Sequence, residues 1–228
     1  MMVRSDSLLS TNMNAFLALK REDVALVIRN LRFRKLLRLV ARNLADVNHY
    51  FALELRLSGP LGAPQTRLAN RELVVLNQND IEALKGQLAS LNDEDSKELL
   101  ARILFYECGF KNCYALKING TIACLQWLVY PSDNEIIERR FRRRFATLKA
   151  KQVMVENSFT FPRFRGLGLM NVLCTELLNI AQAQGYAGAI CYVIKENINA
   201  LNQLTQMGFK IRRVIREYKL LGQVWRNW

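Results

Sequence analysis

The residues whose types and spacing could do chemistry sit together at Pro162-Arg163-Phe164-Arg165-Gly166-Leu167-Gly168, between a β-like run and a helical run. A strand that stops at a proline and passes through Arg-x-x-Gly-x-Gly into a helix gathers unpaired backbone N–H groups at the positive end of the helix dipole, where anions bind. Gly166 and Gly168 lack a Cβ, so the backbone there can approach a phosphate closely and take conformations that other residues resist. The Walker pattern needs Gly-Lys-Ser/Thr, which is missing, and the dinucleotide fingerprint needs a third glycine where this chain has Asn171. Taken alone, the pattern fits an anion cradle and a tight structural turn equally well.

Other chemistry has less to work with. Cys108, Cys113, Cys124, Cys174 and Cys191 are odd in number, lack CxxC spacing and lie mostly in apolar runs, as small core residues do. Neither a disulfide framework nor a zinc site is expected from them. The single histidine, His49, stands beside Tyr50 and Phe51, reads as structural and excludes a His-rich metal centre. It is remote in sequence from every cysteine, so no Cys–His nucleophile pair is visible and no metal is expected.

The elements that must position the turn follow from patterning. The chain has 228 residues, half of them hydrophobic and 23% charged, the composition of a folded protein rather than a disordered one. Residues 1–57 read as helical, and Ser58-Gly59-Pro60-Leu61-Gly62-Ala63-Pro64 breaks the chain. The expected division is a helical, basic N-terminal extension over 1–60 and a second unit over 65–228. In the second unit a short strand (73–76) precedes a helix opened by Asn79 or Asp80 as N-cap, and another helix covers 93–106. Two strands, 112–117 and 121–130, are joined by Asn119-Gly120, a strong hairpin signal because both turn residues must take positive φ. A strand (152–161), the glycine turn, a helix (169–184) closed by Gly185, a strand (189–194), a helix (197–206) and a strand (210–220) complete a three-layer α/β pattern.

The formal net charge is +13, from 33 Lys+Arg against 20 Asp+Glu. The excess clusters at Arg29, Arg32, Arg34, Lys35, Arg38 and Arg42, and again at Arg139, Arg140, Arg142, Arg143 and Arg144; both groups read as helical. Apolar residues interleave with the first cluster, which suits either a solvated helix face or a basic amphipathic helix lying on a partner, a membrane surface or an acidic ligand. No base-stacking aromatic motif accompanies the arginines, so nucleic-acid binding rests on charge alone. No apolar stretch reaches the roughly 18 residues of a spanning helix, and the N-terminus lacks a signal peptide's apolar segment, so a cytoplasmic location is the default.

With Pro162 to Gly168, Gly185-Tyr186, Val193, Asn197-Ile198-Asn199-Ala200 and Met207-Gly208-Phe209 at their intervals, the chain resembles the GNAT superfamily of acyl-CoA-dependent N-acyltransferases. The likeness is specific over about 150–220 and extends from about 71 in the order of elements. It implies an α/β (α+β) three-layer fold with a central mixed, splayed sheet flanked by helices. It also implies a coenzyme A site. Phe159, Thr160 and Phe161 would offer main-chain contacts to the pantetheine arm and the acyl carbonyl, as an added strand would. The amides of Arg165, Gly166, Leu167, Gly168, Leu169 and Met170 would hold the pyrophosphate. Asn197 would lie near the pantetheine arm, cap the following helix, or do both.

The implied reaction is transfer of an acetyl or other acyl group from acetyl-CoA or another acyl-CoA to an amine by direct attack. Glu156, a charged residue inside a β-run, is the candidate general base, or else a strand-edge or salt-bridged carboxylate; strict alternation puts it on the face opposite Phe159 and Phe161. Where many members of the family have a tyrosine acid, this chain has Leu204. Either the thiolate leaves as the anion, a water or Tyr218 substitutes, or the protein binds acyl-CoA without efficient transfer. The basic insertion at 139–144 is expected to border the acceptor site and favour an acidic acceptor. The alternative is a catalytically degenerate acyl-CoA-binding module that docks on a membrane or nucleic acid through segments 29–42 and 139–144. An acyl carrier protein is a further candidate donor, and peripheral membrane contact goes with either reading.

Overall fold

Alternating and doubly apolar β-runs pair here into one mixed sheet of eight strands, seen in a computed structural model that describes residues 45–62, 70–220 and 223–227. The strands are β1 (Ala45–Arg56), β2 (Arg71–Val75), β3 (Cys113–Ile118), β4 (Thr121–Val129), β5 (Gln152–Thr160), β6 (Gly188–Ile194), β7 (Lys210–Leu220) and β8 (Gln223–Arg226). Their order across the sheet is β2-β3-β4-β5-β6-β1-β7-β8. Every neighbouring pair is antiparallel except β5 and β6, which run parallel. Asn119 (φ 49°) and Gly120 (φ 75°) form the β3–β4 hairpin turn, as their sequence predicts.

Helices cover both faces and make the third layer on each side. On one face, α3 (Leu169–Ala183) buries Leu173, Leu177 and Leu178 against Leu53, Leu128, Val153 and Phe209, and α4 (Ile198–Gln206) flanks it. On the other face, α1 (Gln78–Gln87) and α2 (Asp93–Glu107) bury Ile81, Leu84, Leu99 and Ile103 with Trp127, Phe159 and Phe161. The N-cap expected at Asn79 or Asp80 falls two or three residues earlier. Asn77 is the cap, its Oδ1 accepting from the amides of Asn79 and Asp80, while Asp80 is the reciprocal partner in a capping box. No helix among the described residues is long and apolar enough to cross a membrane.

The sequence reading is corrected at β1. Residues 45–56 form a strand inside the sheet rather than the end of a helical extension, so the sheet itself crosses the proposed boundary at residue 60. Tyr50–Arg56 pair with Ile194–Gly188, and Ala45–Glu54 pair with Leu220–Lys210. The Leu- and Ala-containing run is compatible with either structure locally, and burial between two strands settles it: Leu53 and Leu55 enter the α3 core. The remainder of the expected extension, including the basic group at 29–42, lies outside the described residues.

Candidate functional site

Two irregularities of β5 make the site. First, β5 and β6 pair only at Gln152↔Gly188, Val153↔Ala189 and Met154↔Ile190, and beyond Met154 they part. Second, β5 carries a bulge: Trp127 faces Glu156 and Leu125 faces Phe159, so Asn157 and Ser158 together oppose Gln126. Asn157 takes φ 53°, a left-handed value that asparagine tolerates better than most residues.

The bulge overturns the expected orientation of Glu156. Because one residue is inserted between them, Glu156 and Phe159 lie on the same face of the sheet, opposite Trp127 and Leu125 respectively. The Glu156 carboxylate spans the gap where the strands separate. One oxygen accepts from the amide of Tyr192 on β6 (3.3 Å) and the other from the amide of Asn157 (3.2 Å). Burial pushes its pKa above the usual carboxylate range, and the Arg226 guanidinium, those two amides and Arg102 hold it back in part.

Arginines that the sequence did not single out frame this carboxylate. Arg102 of α2 donates to the carbonyl of Ser158 in the bulge (3.2 Å) and to that of Glu98 (3.1 Å), while its buried Nε has no partner. Arg226 forms a buried ion pair with Glu217 (2.9 Å), lies 4.0 Å over the Tyr50 ring and donates to the carbonyl of Arg144 (2.7 Å). No local pattern flags either residue, because each also holds a partner far away in sequence: Ser158 for Arg102 and Arg144 for Arg226.

The glycine turn leads directly into the N-terminus of α3. Gly166 (φ 78°) and Gly168 (φ 70°) are both left-handed, and a Cβ on either would meet nothing within 4 Å. The Arg165 amide donates to the carbonyl of Pro162 (3.2 Å), which removes it from the expected run. Further on, the Asn171 and Val172 amides both turn to the carbonyl of Gly168. Among the described residues, the amides of Gly166, Leu167, Gly168, Leu169 and Met170 face no protein acceptor, and they lie at the N-terminus of a 15-residue helix.

These amides border a cleft of about 870 Å³. Phe159, Thr160, Arg165, Gly166, Gly168, Leu169, Met170 and Asn197 line it. Leu167 projects its side chain to solvent, and Phe161 is buried in the core. Phe161 donates its amide to the carbonyl of Ala123 (3.0 Å), so strand alternation turns the main chain of Thr160 toward the opened side. There the Thr160 carbonyl accepts from Arg165 Nε (3.1 Å). The Arg165 guanidinium also pairs with the buried Asp95 of α2 and thereby straps the turn to that helix. Asn197 caps α4, its Oδ1 accepting from the Ala200 amide (3.1 Å), while facing the cleft.

Leu204 packs against the α3-side core, so its position supplies no proton, and Tyr218 stacks on Trp225 (5.9 Å) rather than lining the cleft. All five cysteines are free thiols. Burial pushes Cys124 and Cys174 up to about 12 and raises Cys113 and Cys191 well above the ordinary thiol value, which keeps all four protonated at neutral pH.

No family model matches the sequence, and no curated protein matches it. Solved structures do. A GCN5-related N-acetyltransferase from Sphaerobacter thermophilus superposes with a TM-score of 0.51 at 13% identity, over 84% of this chain and 55% of that one. A GNAT-family acetyltransferase from Colwellia psychrerythraea gives 0.51 at 14%, over 82% and 61%. The GCN5-related glucosamine N-acetyltransferase region of a fungal multi-domain beta-N-acetylglucosaminidase gives 0.55 at 12%, over 85% and 23%. This chain thus spans less than two thirds of each of these proteins. At such identities the likeness shows the fold.

Proposed function

From a chain with the fold of the GCN5-related N-acetyltransferases, we propose an acyltransferase that moves an acetyl or other short acyl group from acyl-CoA to an amine. One observation carries this reading: the amides of Gly166, Gly168, Leu169 and Met170, with no protein acceptor among the described residues, border a cleft beside two parted strands. A diphosphate satisfies such a cradle, because the amides converge at a helix N-terminus where negative charge is favoured. The arm attached to that diphosphate then extends along β5, where the Thr160 main chain faces the opening.

In the proposed reaction the amine nitrogen attacks the thioester carbonyl carbon. A C–N bond forms, the C–S bond breaks, and coenzyme A departs as a thiolate that takes its proton from solvent. The amine's proton passes to the Glu156 carboxylate, which burial makes a stronger base than an ordinary carboxylate. A main-chain N–H of β5 at the parting of the strands stabilises the oxygen as charge develops on it.

Calorimetry with coenzyme A and free-thiol release from acetyl-CoA across a panel of amines test the proposal together. Micromolar binding with amine-dependent thiol release is the expected result. Binding without release from any amine would reduce the chain to an acyl-CoA-binding module, and no binding would refute the site.

A further inference from the structure

A second concavity, of about 240 Å³, is walled by Arg139, Arg140, Arg142, Arg143 and Arg144 together with Val224 of β8. Guanidinium groups crowded around so small a volume repel one another unless negative charge enters. Glu135 pairs with Arg139 (2.6 Å) at the exposed rim, and Glu217 acts electrostatically on Arg144. Arg143 bonds a neutral amide, Gln223 Oε1 (2.8 Å). Planar guanidinium forks match the oxygens of phosphate and carboxylate, and several forks converging on one volume suit a group with more than two charged oxygens.

The pocket is held in shape. Ile137–Phe141 is a π-helical turn, a form that concentrates at functional sites. Phe141 and Phe145 stack (5.8 Å) and anchor it on Phe105 of α2. From behind, the Arg226 amide donates to the carbonyl of Arg143 (2.9 Å) and its guanidinium to that of Arg144 (2.7 Å). The same guanidinium acts electrostatically on Glu156. By contact, the Arg226 guanidinium lies over the rings of Phe145 (5.9 Å) and Tyr192 (5.6 Å), and the Tyr192 amide donates to the Glu156 carboxylate (3.3 Å), which links the arginine segment to the candidate base.

We infer that this pocket receives an anionic group of the acyl acceptor, a phosphoryl or similarly charged oxyanion, and so holds the amine on the Glu156 side of the sheet. The inference rests on the acyl-transfer reading, and its test separates the two. With coenzyme A saturating the glycine turn, inorganic pyrophosphate is titrated into the full chain and into the Arg140→Gln/Arg142→Gln variant. The variant is expected to bind pyrophosphate at least tenfold more weakly while its affinity for coenzyme A changes less than twofold. Thiol release from acetyl-CoA is then compared for ethanolamine and O-phosphoethanolamine. The phosphate ester should raise kcat/KM at least tenfold in the unaltered protein, and that advantage should shrink to within twofold in the variant. Equal pyrophosphate affinity in the two proteins, or equal use of the two amines, overturns the inference. Arginine-dependent pyrophosphate binding with no thiol release from these two amines or from any other of the panel instead sinks the acyl-transfer reading, and with it the acceptor role of the pocket.

Discussion

Glu156 connects two strands that backbone bonds no longer join, and its ionisation bears on stability and, in the proposed reaction, on rate. Its carboxyl titrates above the ordinary range in the folded chain, chiefly through burial, and within that range when unfolded. Between those two values the folded chain holds the extra proton, so stability should fall as pH rises through that window. Denaturant unfolding across a pH series checks this, and Glu156→Gln should flatten the fall. In the same variant kcat should drop by roughly 10²–10⁴-fold with little change in the affinity for coenzyme A, the effect of losing a general base. The rise of rate with pH through the Glu156 ionisation should vanish as well. Arg226 works at the same scale. Its side chain is 7% exposed and that of its partner Glu217 is 3% exposed, so Arg226→Ala strands a buried carboxylate and should cost about 3–5 kcal/mol. A double-mutant cycle with Glu217→Gln should show strong coupling, and additive losses would contradict that account.

Among elements, the glycine turn and the β5 bulge do for the site what no side chain could. Left-handed backbone at positions 166 and 168 turns the chain from β5 into α3 beside the cleft, and a residue with a Cβ there carries a conformational penalty of roughly 1–2 kcal/mol. Space is not the obstacle, since a Cβ meets nothing nearby. Gly166→Ala/Gly168→Ala should therefore leave a folded protein with a lowered melting temperature and at least tenfold weaker binding of coenzyme A by calorimetry. Unchanged binding would remove the turn from the site. At the bulge, Asn157→Val should destabilise by about 1–2 kcal/mol, because a β-branched residue resists the φ that asparagine accepts, while Asn157→Gly should be tolerated. Strap and bulge meet on α2: Asp95 fastens the turn through Arg165, and Arg102 fastens the bulge through the carbonyl of Ser158.

Over the whole molecule, the decisive feature is that the first described strand lies in the interior of the sheet. β1 separates β6 from β7, so everything downstream of residue 60 depends on it for two sets of strand pairings and for the burial of Leu53. A fragment spanning 65–228 should lack a cooperative unfolding transition by circular dichroism, and adding a peptide of residues 45–58 should restore one. A cooperative fold in the fragment alone would contradict the topology. Most other elements were legible beforehand. The β3–β4 hairpin, β5, α3 with Gly185 at its end, β6, α4 and β7 fall within a residue or two of their expected bounds because each has its own punctuation: Asn-Gly, Pro, Gly-x-Gly, or an Asn cap. β1 has none, and its Leu and Ala content favours helix until neighbouring strands bury it.

The same division holds for the site. The sequence alone determined a turn into a helix near residue 166, since a proline, two glycines and an apolar run in that order leave the backbone few options. It also set the thiols aside, because cysteines in apolar runs without a partner are core residues. Only the tertiary structure decided which face Glu156 takes, because one extra residue in a strand reverses the alternation and no local pattern announces it. Only the tertiary structure, too, brought Arg102, Arg226 and Tyr192 around that carboxylate, since contacts between residues far apart in the chain arise from strand order, and strand order is fixed by burial across the whole sheet.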